Sequence, residues 1–153
     1  MKEFADSESQ NMKLFDMPKA VKMESGFLND RPGGADSEHK IFYNFYKSQA
    51  GKQAPVVFWY MGGPGAQNML VQFQMNGPVH LHQGIQENKY GWHKFANLVY
   101  TDWPYGTGYS RTKDPKYNPK PQDYAENATR FIKRWTEEHP DFKGDIYIAG
   151  DSS

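Results

Sequence analysis

The 153-residue chain balances lysine plus arginine against aspartate plus glutamate at 18 each. Nothing in that balance suggests a surface for a polyanion, so no nucleic-acid partner is expected. It has no cysteine, which excludes disulfides and thiolate metal sites, and no run nears the ~20 apolar residues of a membrane-crossing helix.

Residues 1–22 are polar and mixed in charge, so they read as a flexible lead-in without the apolar centre of a signal peptide. A short strand is expected over Ser25 to Leu28, then a turn at RPGGADS. HKIFYNFYKS, residues 39–48, is aromatic-rich between polar turns and predicts a second strand. APVVFWYM, residues 54–61, is continuously apolar rather than alternating, as in a strand buried on both faces. GGPGA follows it, and Gln67 to Met75 fits a short helix before the Asn76-Gly77-Pro78 turn.

KFANLVYTD, residues 94–102, predicts a fourth strand, and the proline- and lysine-rich stretch 111–121 an exposed loop. Asp123 and Glu126 have the spacing of a capping box. Tyr124, Ala128, Phe131, Ile132 and Trp135 then recur at helical intervals. That helix should stop near His139, before Pro140. DIYIAG closes the series as a fifth strand. Strands followed by a crossover helix and another strand predict an α/β fold with a mostly parallel sheet.

Three stretches can carry chemistry. Gly150-Asp151-Ser152 follows a strand, as a hydrolase nucleophile does, but the tripeptide fits an ordinary turn as well. A serine hydroxyl needs a base, N–H donors facing the developing oxyanion, and small neighbours on a sharp turn; Gly150 meets the last demand. Met61-Gly62-Gly63-Pro64-Gly65 lets the backbone approach a ligand and aim N–H groups at it, or serves as a tight turn. Asp102 to Ser110, DWPYGTGYS, lacks the G-x-G-x-x-G spacing of a nucleotide loop and reads as a rigid strand end. His80 and His82 would share one face of a strand, without further ligands for a metal. Asn127-Ala128-Thr129 matches the glycosylation sequon.

Together VVFWYMGGPGAQNML, MNGPVHL, YGWHKFANLVYTDWPYGTGYS and IYIAGDSS resemble the serine carboxypeptidase family of the α/β-hydrolases. They match, in order and spacing, its NGGPG, ENGP, SWN-to-DQPxGxGFS and GESYAG segments. The resemblance implies an α/β-hydrolase domain over residues 23–153, comprising the N-terminal half of the central sheet. It implies an acyl-enzyme on Ser152, oxyanion N–H groups from Gly63 and Ser153, a peptide substrate and no cofactor. It also implies a vacuolar, lysosomal or extracellular site of action.

The family's catalytic aspartate and histidine follow the serine, whereas all five histidines here precede Ser152. The chain is therefore expected to be the N-terminal part of a longer protein and inactive alone. The resemblance also places Met61, Gly62, Met75 and Asp151 where relatives hold the substrate's terminal carboxylate. Methionine at two of the three hydrogen-bonding positions removes contacts worth about 1.5–3 kcal/mol each. An esterase, an acyltransferase or a non-catalytic peptide binder thus stands beside the carboxypeptidase reading.

Overall fold

The structure, a computed structural model, describes residues 17–29, 39–63, 65–81, 84–113, 118 and 120–152. The expectations for residues 1–16, for the turn over 31–37, and for Pro64, His82 and Ser153 lie outside them. The described chain forms β1 (Lys22–Leu28), β2 (Ile41–Lys47), β3 (Val56–Met61), α1 (Asn68–Gln74), β4 (Val79–Leu81), β5 (Ile85–Glu87), β6 (Asn97–Thr101), α2 (Pro121–Glu138) and β7 (Ile146–Asp151). The first strand starts earlier than its apolar residues suggest, at Lys22, because Val21 just before it is already buried.

Five strands form one sheet in the order β1-β2-β6-β3-β7, while β4 and β5 pair as a separate hairpin. β2 runs antiparallel to both of its neighbours, β1 and β6. β6, β3 and β7, which lead into the candidate site, are mutually parallel. The α/β architecture expected from the sequence is therefore present, but among the described strands the sheet is mixed, half of its pairings antiparallel, rather than mostly parallel.

β3 explains the layering. Its continuous apolar run sends Val56 and Phe58 into one core with Phe131 and Trp135 of α2, and Val57 and Trp59 into a second with Val71 of α1. This is the two-faced burial that parallel strands under helices require. In the first core Trp135 is 0% exposed, edge-on to Phe45 at 4.9 Å and Phe58 at 5.3 Å between ring centroids. Tyr124, Ala128 and Ile132 pack against the same core, so the whole predicted face of α2 points inward.

The start of α2 differs from expectation. Asp123 is its third residue rather than its cap, and accepts a hydrogen bond from the Lys120 backbone N–H at 2.7 Å. Pro121 opens the helix, a position where its missing N–H costs nothing. Asn127 is 1% exposed within this helix and accepts a hydrogen bond from Arg130. The sequon residue is thus packed inside the fold.

β7 pairs with β3 alone among the described residues. Its Ile146, Tyr147 and Ile148 are exposed, Ile148 to 68%. The expected fifth strand thus lies at the end of the described sheet, with an apolar run on its surface.

Candidate active site

β3 and β7 end side by side, with Tyr60 opposite Gly150 and Met61 opposite Asp151. The glycine-rich loop leaves one strand where the serine turn leaves the other. A direct bond joins them, since the Gly62 N–H donates to the Asp151 carbonyl at 2.8 Å. Parallel pairing therefore brings together two motifs that lie far apart in the sequence.

Ser152 has φ of 66°, the one positive φ at a non-glycine residue among those described. An L-residue there is strained, and such strain gathers at functional turns. Gly150 must be small, because a Cβ on it would come within 3.0 Å of the Tyr60 carbonyl oxygen. The Tyr60 ring packs against the core under α2, edge-on to Trp103 at 5.8 Å. Burial pushes the Tyr60 phenol up.

Gly63 is exposed, with φ of 104°. Its N–H finds no backbone acceptor among the described residues.

The loop after β6 backs the glycine-rich loop. A Cβ placed on Gly65 would sit 3.6 Å from Thr107 Oγ1, and Thr107 is itself buried. Thr107 is held by a closed circuit in which its N–H donates to the Pro104 carbonyl and its own carbonyl accepts from Ser110 N–H. The buried Asp102 carboxylate accepts from Tyr109 N–H at 2.9 Å. Ser110 Oγ donates to the Asp102 carbonyl at 2.6 Å and accepts from Phe42 N–H at 2.8 Å. The rigidity expected of DWPYGTGYS thus has a named source.

Gly108 lies so close to Asp102 that a Cβ would fall 2.1 Å from its Oδ2. Gly108→Ala is expected to destabilise the protein by about 2–3 kcal/mol through overpacking and a positive φ. A urea melt checks this; a loss below about 0.5 kcal/mol would contradict the contact.

The other expected residues are scattered in role. Met61 is half-buried at the end of β3, and Asp151 is exposed beside it. Met75 caps the end of α1 with 43% of its surface exposed. His80 lies in β4 with its Nδ1 3.4 Å from the Phe73 carbonyl oxygen. Among the described residues no group of three or more metal-ligating side chains converges, and no helix is long and apolar enough to cross a membrane.

The serine carboxypeptidase family model matches residues 14–153. The chain belongs to the serine carboxypeptidase family. It is 35% identical to serine carboxypeptidase-like 48 of Arabidopsis thaliana, covering 92% of this chain and 30% of that protein. To vitellogenic carboxypeptidase of Aedes aegypti it is 32% identical, over 89% of this chain and 29% of the relative. The chain thus spans less than a third of the length of these curated relatives. Among solved structures, esterase B of Lactobacillus rhamnosis aligns with a TM-score of 0.51 at 12% identity, covering 99% of this chain and 42% of that one. That likeness establishes the α/β-hydrolase fold of this serine carboxypeptidase relative, as the residues had suggested.

Proposed function

We propose that this chain contributes the nucleophile and oxyanion loop of a serine carboxypeptidase-type site over residues 23–153. Ser152 Oγ attacks a peptide carbonyl carbon, and its proton passes to a base supplied by a part of the protein beyond this segment. The tetrahedral oxyanion is received by the N–H groups of Gly63 and Ser153. Collapse expels the C-terminal amino acid as its amine, leaving the acyl group on Ser152 for water to release. The observation that carries this reading is the strained Ser152 turn held beside the glycine-rich loop by the Gly62–Asp151 bond.

Met61, Gly62, Met75 and Asp151 stand on the side of the leaving group in this proposal. Met61 opposite Asp151 places a thioether beside a carboxyl group, and a thioether offers no donor to a free carboxylate. That pair favours a second reading, an esterase or acyltransferase working through the same acyl-enzyme.

Treating the native full-length protein with a fluorophosphonate and mapping the adduct tests the shared step. The expected result is a single phosphonylated peptide containing Ser152, with release of C-terminal amino acids from blocked dipeptides. Ester turnover without amino-acid release would select the second reading, and an unlabelled Ser152 would end both.

A further inference from the structure

α1 turns an unusual stripe toward the sheet. Asn68, Gln72 and Asn76 recur every four residues, from the first turn of the helix to just past its end, and are 1%, 1% and 9% exposed. Such a helix ordinarily seats itself with apolar side chains. Here each amide is bonded to a different part of the sheet. Asn68 Nδ2 donates to the Thr101 carbonyl of β6 and, at 3.4 Å, to the Trp59 carbonyl of β3. Gln72 Oε1 accepts from Tyr46 Oη at 2.7 Å and from Asn44 Nδ2 at 3.2 Å, both on β2. Asn76 Oδ1 accepts from Tyr100 Oη at 2.8 Å on β6.

Apolar contacts would let a two-turn helix slide, because they are not directional. Buried hydrogen bonds tolerate no slip, since a displaced partner is left unsatisfied. Asn68 sits at the critical place: the loop 62–67 hangs between the end of β3 and this residue. Its amide is bonded to that same strand at Trp59 and to the neighbouring strand at Thr101. Both ends of the loop are thereby referred to one sheet edge.

We infer that Asn68 is a positioning residue, which with Gln72 and Asn76 fixes α1 on the sheet and so sets where the Gly63 N–H points. The inference rests on Gly63 as the oxyanion donor, and extends that reading to the residues that aim it.

The test is the native full-length protein labelled with ¹⁵N-glycine and observed by NMR, with Asn68→Ala, the milder Asn68→Ser, and Asn97→Ala as control. Asn97 is also buried and its amide donates to the Ala54 carbonyl at 3.0 Å, but it begins β6 at the opposite end from Thr101. Both Asn68 variants are expected to shift Gly62, Gly63 and Gly65 while leaving Gly144 in place, and Asn97→Ala to shift Gly51 and spare the loop. In the native full-length protein, Asn68→Ala should slow phosphonylation of Ser152 about 10²-fold, the usual cost of misplacing a group by about 1 Å. Loop glycines unmoved in both Asn68 variants, or moved equally by Asn97→Ala, would overturn the inference. Loop shifts in a protein whose Ser152 never reacts would uphold the positioning role and reject the acyl-enzyme reading.

Discussion

Ser152→Gly is expected to abolish acyl transfer and yet leave the native full-length protein more stable than Ser152→Ala. Loss of a serine nucleophile lowers kcat by about 10⁶-fold in enzymes that depend on one. Alanine and glycine both remove the hydroxyl, but only alanine keeps the Cβ that makes a φ of 66° costly. The left-handed conformation costs an L-residue about 1–2 kcal/mol, and the added freedom of an unfolded glycine returns up to about 1 kcal/mol of that. Glycine should therefore exceed alanine by about 0.5–1 kcal/mol in a urea melt. Turnover within tenfold of wild type would place the nucleophile elsewhere. Equal stability of the two variants would mean that the turn stores no strain.

Trp135→Ala carries the largest expected effect on folding. Trp135 is fully buried where α2 crosses the sheet, against Phe45 of β2 and Phe58 of β3, and its ring stacks on His139 at 4.1 Å. Truncating such a residue costs about 3–5 kcal/mol, transfer and cavity terms together. Whole domains have about 5–15 kcal/mol to lose, so this single change removes a large share. Circular dichroism during urea unfolding should show the midpoint falling steeply, with the slope retained. A loss under about 1 kcal/mol would mean that α2 is not the helix that closes this face.

The sequence determines what depends on near neighbours. The face of α2 is legible because Tyr124, Ala128, Phe131, Ile132 and Trp135 repeat at the helical period, and one side of a helix meets one core. β3 is legible because an unbroken apolar run has no polar face to give to water. The turns at Gly63 and Ser152 are legible as strand ends because glycine directly after an apolar run is a local pattern, whereas their chemical roles come from the family resemblance alone. Three-residue strands have too few positions to show a period, and so β4 and β5 pass unseen. The helix start at Pro121 is hidden by the more prominent Asp123–Glu126 spacing.

Tertiary structure alone decides the rest. Antiparallel pairing of β2 with β6 joins strands far apart in the chain, which no local period encodes. Asn68, Gln72 and Asn76 look like solvent-facing amides until the sheet supplies carbonyl and phenol partners 24 to 33 residues away. The strain at Ser152 is likewise a backbone angle rather than a residue type. Side-chain chemistry names the groups that can react, and only long-range pairing holds the glycine-rich loop against the serine turn through the Gly62–Asp151 bond.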